Sequence, residues 1–450
     1  MHDLVVRDIS GAYIDHGLEL RDGWIAVKDG RISALGQGGE PRPAARRVVD
    51  AGGRVVTPGL VNTHHHIFQN LTRSYGPAVN GSLFEWLTAL YPIWSRLDEE
   101  ATYWSTWVGL AELLLGGCTT SSDHFYMHPR PRLVDAQVRA ATDIGYRFYV
   151  TRGSLTLSEK DGFLPPDRAV QSHDEVMADS ERIIAAYHDP GPGAMTRVAL
   201  APTALFLVHE RLMVETAELA ERRGVRLHTH LAEDTDEEEF CRRAFARSPV
   251  EQFEHVGWAT DRTWVAHFAY PAEREARRLA AAGVGAAHCP SSNMLICNST
   301  ADVPWLRSLG MPVGLGCDGS SSTDHASLWM EARNCLLLAR FRGGSQAMTA
   351  RDAIDVATRG SARCLGWEDE IGHLRVGALA DLVVWDMSPF ALAGSGSDPI
   401  EALLRCGPAT AWITMVGGRC LVEDGRLSLP GAETALAEHR RISRSWQGLG

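Results

Sequence analysis

The stretch Pro58-Gly59-Leu60-Val61-Asn62-Thr63-His64-His65-His66 is an apolar segment that ends in three consecutive histidines. In a β-strand, side chains two residues apart project to the same face, so His64 and His66 can hold one metal ion while His65 points away. A run of three histidines also occurs on exposed loops, where it binds no metal ion. The stretch therefore predicts a buried strand and half of a metal site, and the other half must lie elsewhere in the chain.

Residues 59–365 alternate short apolar runs with helical patterns, which predicts a (β/α)8 TIM barrel. The predicted buried strands are Gly59–Asn62, Thr119–Asp123, Arg147–Arg152, Arg197–Pro202, Val225–His230, Thr263–His267, Val284–Cys289 and Pro312–Asp318. Helices are predicted between them at Glu99–Leu115, Asp174–Tyr187, His209–Arg223 and Ala272–Ala282. Barrel enzymes place their chemistry at the carboxyl ends of the strands. Most polar residues of interest lie at those ends.

The two ends of the chain consist of short β-type runs separated by turns. Asp29-Gly30 joins two apolar runs and is a typical hairpin signal, and Ala380-Asp381-Leu382-Val383-Val384-Trp385 is a strand pattern near the other end. Neither end carries enough strands to bury a sheet face alone. We therefore expect residues 1–58 and 366–450 to form one small β-sandwich domain beside the barrel of residues 59–365.

Composition and charge narrow the class of protein. The 450 residues carry a formal net charge of −12, which disfavours a nucleic-acid polymer as partner. Nine cysteines without Cys-x-x-Cys spacing, including Cys118, Cys289 and Cys317, indicate reduced, buried thiols. Neither a signal peptide nor an apolar run long enough to span a bilayer is recognisable. We expect a cytoplasmic enzyme with a small-molecule substrate and no membrane partner.

Further predicted strands end in side chains suited to metal-assisted hydrolysis. These side chains are His228 and His230, with Glu233 three residues beyond His230, and then His267 and Asp318 at the ends of later strands. One of the paired imidazoles could complete a metal shell, and the carboxylate of Glu233 could take a proton from metal-bound water. Each residue alone also fits a structural role, such as a buried histidine or a turn-forming aspartate. Their joint occurrence at strand ends predicts one hydrolytic centre.

These motifs resemble the amidohydrolase superfamily, in particular its mononuclear-metal aminohydrolases that act on purines, pterins and hydroxytriazines. The similar segments are Asp29–Ile32, Pro58–His64, Gly117–Thr120, His228–Glu233, His288–Asn293, Asp318–Ser320, Ala357–Ala362 and Ala380–Leu382. The resemblance implies that one divalent ion is bound by His64, His66, His230 and Asp318. It further implies a homodimer or larger homo-oligomer.

The resemblance also implies that Glu233 and His267 act on water and substrate. A divalent ion lowers the pKa of bound water from about 15.7 toward 7 and so makes hydroxide available. Asp318 can ligate the ion and accept a hydrogen bond from that water, while Glu233 carries protons to a ring nitrogen and to the departing amine. His267 could donate to the hydroxide or to the developing oxyanion. Such ligands suit several metals; zinc is our first expectation and iron the alternative.

Other segments are similar to the 8-oxoguanine deaminase group and suggest substrate contacts. Gln69 can bind a lactam or amidine edge, because its amide offers one donor and one acceptor. Trp94, with Trp86 and Tyr91, could stack on a planar heterocycle, although such aromatic sets are more often part of a core. Thr203, in Ala201-Pro202-Thr203, is a further candidate at the barrel mouth.

Two segments depart from that group and leave the substrate open. The bulky run Ala204–Val208 follows Thr203, and Leu295–Thr300 replaces an expected arginine and glycine turn. A hydroxytriazine, a pterin or a small amidine or urea compound such as guanylurea would use the same chemistry. A barrel that has lost catalysis and only binds a partner is a third hypothesis. The sequence argues against it, because no ligand or proton-transfer position is missing.

Overall fold

Eight parallel strands close into a barrel in the computed structural model, which describes residues 1–297 and 299–449. In chain order the barrel strands are Leu60–Asn62, Cys118–Phe125, Arg147–Ser154, Thr196–Pro202, Arg226–Leu231, Thr263–His267, Gly285–His288 and Val313–Leu315. The barrel closes where Leu315 of the eighth strand pairs with Asn62 of the first. The predicted (β/α)8 fold is confirmed, and each predicted strand overlaps an observed one.

Helices surround the barrel and cover its strands. The described α-helices are Leu83–Trp94, Glu99–Leu115, Leu133–Ile144, His173–Tyr187, Glu210–Arg223, Thr235–Phe245, Pro249–His255, Glu273–Ala281, Pro290–Ile296, Val303–Ser308, Leu328–Gly343, Ala350–Asp355, Ser361–Cys364, Pro399–Arg405 and Ala432–Trp446. Helix Glu99–Leu115 has the predicted bounds, because the Asp98 carboxylate accepts the Ala101 N–H at its start. Every residue of strand Cys118–Phe125 is buried, as expected for a parallel strand covered on both faces.

Strands from both chain ends form one nine-stranded sheet beside the barrel. Its members are His2–Asp15, Leu18–Lys28, Arg31–Gly36, Ala45–Asp50, Val55–Pro58, Leu382–Trp385, Ala411–Val416, Arg419–Glu423 and Arg426–Leu427. The two ends meet where Val56 lies opposite Val384 in an antiparallel pair. The predicted domain boundaries, at residues 58/59 and 365/366, stay a prediction.

A buried ion pair attaches this sheet to the barrel. Arg147, the first residue of the third barrel strand, places Nε 2.8 Å from Asp381 Oδ2, and both side chains are 1% exposed. Asp381 also accepts the Gly417 N–H at 2.6 Å, so its charge is compensated on two sides. Because Arg147 begins its strand, the sheet joins the amino-terminal side of the barrel. The carboxyl-terminal face stays free for a functional site.

The cysteines are reduced thiols, most of them inside the fold. All nine cysteines are free, and Cys118, Cys289 and Cys317 are buried as predicted. Within the described part of the chain, no helix combines the length and the apolar character that a bilayer crossing requires.

Candidate metal centre and active site

Three regions of the chain bring four candidate metal ligands together. His64 and His66 follow the first barrel strand, His230 lies in the fifth, and Asp318 follows the eighth. Asp318 Oδ1 lies 3.2 Å from His64 Nε2 and 3.3 Å from His66 Nε2. The Nε2 atoms of His66 and His230 are 3.2 Å apart. Ligand atoms about 2.1 Å from one tetrahedral ion lie about 3.4 Å from each other. The spacing therefore fits one divalent ion.

Hydrogen bonds to Nδ1 leave the Nε2 lone pairs of these histidines free for an ion. His66 Nδ1 donates to the His124 carbonyl at 2.7 Å, and His230 Nδ1 donates to the Thr203 carbonyl at 2.6 Å. His64 Nδ1 lies 2.8 Å from His228 Nε2, and His228 Nδ1 in turn donates to the Trp264 carbonyl. His228 Nε2 is then an acceptor, so His64 Nδ1 donates to it. Such partners fix the tautomer of metal-ligating histidines.

Burial keeps the three imidazoles neutral. It lowers the pKa of His66 to about 3 and holds the pKa of His64 well below its ordinary value. The pKa of His230 is lowered for the same reason. His64 Nε2 is buried and has no hydrogen-bond partner among the described residues. Neutral imidazole is the ligand form, so this donor set fits a divalent metal ion.

Asp318 is held by backbone pairing and by two serines. It lies opposite His65 in a two-stranded ribbon formed by His65–His66 and Asp318–Gly319. The hydroxyls of Ser292 and Ser322 both donate to Asp318 Oδ2. Asp318 also has a φ of 54°, a left-handed conformation that costs a non-glycine residue about 1–3 kcal/mol. Backbone strain of this kind is concentrated at functional sites.

Glu233 and His267 form an adjacent pair suited to proton transfer. Glu233 Oε1 lies 3.4 Å from His267 Nε2. Burial, with the charge of Asp318 adding to it, raises the pKa of Glu233 to about 7. His267 Nδ1 donates to Asn293 Oδ1 at 3.2 Å, and burial lowers the pKa of His267. A neutral His267 then presents the lone pair of Nε2 toward Glu233. A carboxyl group that titrates near neutrality can act as general base and then as general acid.

Of the predicted substrate contacts, Gln69 and Thr203 line the cavity above these groups. Gln69 Nε2 donates to the Tyr126 hydroxyl at 3.2 Å, while its Oε1 is buried and without a partner among the described residues. The Thr203 hydroxyl donates to the Ser154 carbonyl at 2.7 Å. Gln69 thus offers a free acceptor to a ligand, whereas Thr203 acts through its carbonyl, which orients His230.

The structure places Trp94 behind the cavity wall, in contrast to the predicted contact with substrate. Trp94 ends helix Leu83–Trp94, and its indole turns inward to donate to Thr72 Oγ1 at 2.9 Å. It packs edge-on against Trp86, with ring centroids 5.1 Å apart. Trp86 and Tyr91 of the same helix do line the cavity. Trp94 therefore supports the residues that a substrate would contact.

Several site residues were not singled out from the sequence. His124 lies one residue beyond the predicted second strand, and with His64, His66 and His230 it forms a group of potential metal ligands. A second such group combines His64 and His230 with His267 and Asp318. The His124 Nδ1 is buried without a partner among the described residues. The one sequence signal for His124 was its position just beyond the predicted second strand, at the end that faces the barrel mouth.

Two other site features carried different sequence signals. Ser292 and Asn293, which bind Asp318 and His267, lie in the segment His288–Asn293, and the resemblance of that segment to the amidohydrolase superfamily could have indicated them. Tyr126 carried no sequence signal for a functional role, because a tyrosine after a strand is common in protein cores.

Both sequence segments that depart from the 8-oxoguanine deaminase group reach the cavity. Ala204, Phe206 and Leu207 line it from the first segment, and Ile296 lines it from the second. Asn298 of the second segment lies outside the described residues. No arginine or lysine is present among the described residues that line this cavity. Its outer wall is therefore apolar, while its floor carries the histidines and carboxylates.

Comparison with known proteins agrees with this geometry. Residues 55–419 match the amidohydrolase family. The chain is 45% identical to an 8-oxoguanine deaminase of Pseudomonas aeruginosa over 97% of both chains. It is 34% identical to a hydroxydechloroatrazine ethylaminohydrolase of Pseudomonas sp. strain ADP, over 96% of this chain and 91% of that one.

Solved structures show the same architecture. Atrazine chlorohydrolase from Arthrobacter aurescens TC1 in complex with zinc superposes with a TM-score of 0.93 at 30% identity, covering 98% of this chain and 100% of that one. A triazine hydrolase variant has a TM-score of 0.94 at 29% identity, with the same coverage. A zinc-containing neighbour and the buried histidine and aspartate group together support a single divalent metal ion.

Proposed function

The chain belongs to the amidohydrolase family, and we propose that it is an aminohydrolase that releases ammonia from an amino-substituted oxo-heterocycle of the 8-oxoguanine type. The observation that carries the proposal is the position of Glu233, whose carboxyl group is 15% exposed and faces the cavity beside four candidate metal ligands. The 45% identity to an 8-oxoguanine deaminase supports this substrate class.

The residues of the site divide the reaction between them. A divalent ion held by His64, His66, His230 and Asp318 would supply a nucleophile by lowering the pKa of water toward about 7. Glu233 takes a proton from the attacking water and delivers it to the ring nitrogen beside the reacting carbon. It then transfers the second proton to the amine. A carbon–oxygen bond forms, the carbon–nitrogen bond breaks, and ammonia leaves with the bonding electron pair.

His267 and Gln69 support this sequence from opposite sides. His267 can accept a proton at Nε2 and return it, because its Nδ1 is held by Asn293. Gln69 Oε1 is an unused acceptor that can bind an N–H of the heterocycle, and the Tyr126 hydroxyl fixes the other end of the amide. Together they orient a planar ring with its amino-bearing carbon toward the metal ligands.

A second candidate function keeps the chemistry and changes the substrate. The cavity has no cationic side chain among its described lining residues, and Phe206 and Ile296 give it an apolar wall. These features favour a less polar ring, such as a hydroxytriazine, over 8-oxoguanine itself. A pterin or a small amidine or urea such as guanylurea is the further alternative.

We also propose zinc as the metal, a cytoplasmic location and a homodimer or larger homo-oligomer. A zinc-bound structural neighbour supports the first of these. An exposed apolar stripe on helix Leu328–Gly343 supports the last: Met330, Leu337 and Phe341 are 41%, 48% and 89% exposed. Iron remains the alternative metal, and metal analysis of the enzyme as isolated separates the two.

Ammonia release from a panel of compounds tests the proposed function. The panel contains 8-oxoguanine, other aminopurines, pterins, aminohydroxytriazines and guanylurea, each assayed with zinc-loaded and iron-loaded enzyme. We expect ammonia from at least one planar oxo-heterocycle. In Glu233→Gln the rate should fall by about 10²–10⁴, because the amide cannot transfer protons, while the metal content stays at one ion per chain.

Glu218→Gln is the matched control, since Glu218 is exposed on a distant helix. It should keep the wild-type rate. Absence of ammonia with every compound, or a Glu233→Gln variant as fast as wild type, would refute the proposal. Comparison of kcat/KM across the panel then decides between the purine and the triazine substrate classes.

A further inference from the structure

A second concave space, the chamber, lies between two helices and two loops. Its walls are helices Leu83–Trp94 and Thr235–Phe245, residues 161–164, and the pair Phe206 and Leu207. Its volume is about 400 Å³, within the range of about 300–1,000 Å³ that is usual for small-molecule sites. Among the described residues that line it there is no candidate metal ligand. The chamber is therefore a separate candidate site, and its lining indicates which ligand it suits.

Phenylalanine rings form much of the chamber wall. The ring centroid of Phe240 lies 5.9 Å from that of Phe163 and 5.9 Å from that of Phe206, and all three rings keep part of their surface exposed. The face of an aromatic ring is partially negative and attracts a cation within about 6 Å of the centroid. Arg243 shows this attraction, because its guanidinium carbon lies 6.0 Å from the centroid of Phe240. The aromatic wall therefore suits an organic cation.

The charge of the chamber also favours a cation. Its described lining contains four acidic side chains and a single cationic one: Asp161, Asp236, Glu237 and Glu239 against Arg243. Three of the four carboxylates, those of Asp161, Asp236 and Glu239, are exposed and solvated, so they supply a negative potential and no fixed contact. An anion placed here would face an excess of negative charge, whereas a cation would be attracted.

The fourth carboxyl group, that of Glu237, is buried and only partly satisfied. Glu237 is 5% exposed and lines the chamber. Its Oε2 accepts the Glu233 N–H at 3.2 Å, but its Oε1 has no hydrogen-bond partner among the described residues. A buried polar atom without a partner costs free energy, so a ligand that donates an N–H to it gains affinity. Burial raises the pKa of Glu237 to about 8, and a cation paired with Oε1 would favour the charged carboxylate.

We propose that the chamber is a binding site for a small organic cation with a planar head group that carries N–H donors, such as an alkylguanidinium. The head group stacks on Phe240 and donates to Glu237 Oε1, because a guanidinium presents an aromatic-compatible face and hydrogen-bond donors in its plane. The same Glu237 carboxyl group accepts the Glu233 N–H, so the ligand lies one side chain away from the proton-transfer residue. The inference goes beyond the proposed function and does not depend on it, since binding requires no turnover.

The test is isothermal titration calorimetry of the metal-loaded enzyme with butylguanidinium and with butylurea. The two probes have nearly the same shape, but butylurea is uncharged. The titrations are made at pH 8.5, where Glu237 is largely ionised and the guanidinium keeps its charge. We expect one butylguanidinium per chain and a Kd for butylurea that is higher by about tenfold or more, because the uncharged probe loses both the attraction to the ring and the ion pair. Ammonia release from butylguanidinium is assayed in parallel and should be absent.

Variants locate the cation in the chamber. Glu237→Gln should raise the Kd of butylguanidinium by about tenfold or more, because a hydrogen bond to a charged group is lost. Phe240→Ala should raise it by about fivefold or more through loss of the ring face. Glu238→Gln is the matched control: it removes the same charge from the next residue of the helix, but Glu238 pairs with Arg242 and lies outside the described lining. This control should bind butylguanidinium as wild type does.

Glu233→Gln separates the chamber from the metal centre. This variant keeps the backbone N–H that Glu237 accepts but removes the carboxylate that faces the metal ligands, so a cation in the chamber should keep most of its affinity. The inference is overturned if butylguanidinium does not bind, or if butylurea binds equally well. It is also overturned if Glu233→Gln weakens binding more than Glu237→Gln and Phe240→Ala do, or if butylguanidinium releases ammonia, since either result would place the cation at the metal centre. Absence of ammonia from every compound of the panel would instead refute the proposed function and leave these titrations unaffected.

Discussion

His228 is expected to set the metal affinity through His64, without being a ligand itself. Its Nε2 accepts the hydrogen of His64 Nδ1 at 2.8 Å, and this bond leaves His64 Nε2 free for the ion. Replacement by phenylalanine removes the acceptor but keeps a ring that stacks on Trp264, as the imidazole does at 4.5 Å between centroids. The variant therefore removes one hydrogen bond from an otherwise preserved core.

The magnitude follows from the burial of His64. Its side chain is 0% exposed, so water cannot replace the lost acceptor. A buried donor left without a partner costs about 1–3 kcal/mol, which corresponds to a factor of about 5–150 in an equilibrium constant. Loss of such supporting partners weakens metal binding by about 10–100-fold. We expect the zinc Kd of His228→Phe to rise by that range.

The assay is titration of metal-free enzyme with zinc in competition with a chromophoric chelator. At saturating zinc, kcat should remain within a few-fold of wild type. His228→Gln should recover most of the affinity, because its terminal oxygen can accept from His64. His288→Phe is the control, since His288 is equally buried in the seventh barrel strand. The reasoning fails if His228→Phe binds zinc as tightly as wild type, or if His288→Phe weakens binding equally.

Three further outcomes are expected. Burial raises the pKa of Asp123 from 3.8 to about 7. The unfolded chain therefore releases this proton at lower pH than the folded chain, and the free energy of unfolding falls by about 4 kcal/mol as pH rises from 4 to 7. In denaturant unfolding, the stability of Asp123→Asn relative to wild type should be far greater at pH 8 than at pH 5. Asn293→Ala removes the acceptor of His267 Nδ1, and kcat should fall about tenfold or more with one metal ion per chain still found by elemental analysis. Chelation of the metal should lower Tm by several degrees in scanning fluorimetry, since an ion at 100 times its Kd adds about 2.7 kcal/mol, and zinc should restore it. An unchanged Tm would show that no ion binds preferentially to the folded protein and would refute the metal site.

Local sequence patterns were sufficient to predict the barrel and the main candidate metal ligands. Helix Glu99–Leu115 and strand Thr263–His267 were predicted with their observed bounds, because the apolar and amphipathic patterns that define them depend only on residues close together in the sequence. His64 and His66 share a face through the two-residue period of a strand, which also needs no knowledge of distant contacts. Motif resemblance then supplied His230 and Asp318.

The other features of the site depend on contacts between segments that are far apart in the sequence. Trp94 was expected at the substrate, yet its indole pairs with Thr72, a contact that helix periodicity alone does not specify. The support of His64 by His228 joins residues 164 positions apart, and no spacing rule predicts it.

The sequence by itself determined which chemistry the strand ends of this protein can carry, because a side chain's donor atoms belong to its residue type. Tertiary structure alone decided how those atoms are held and what lies beside them. The tautomers of His64, His66 and His230 follow from their Nδ1 partners, and the elevated pKa of Glu233 follows from burial. The space beside Phe206 exists only because two loops and the two helices Leu83–Trp94 and Thr235–Phe245 meet there.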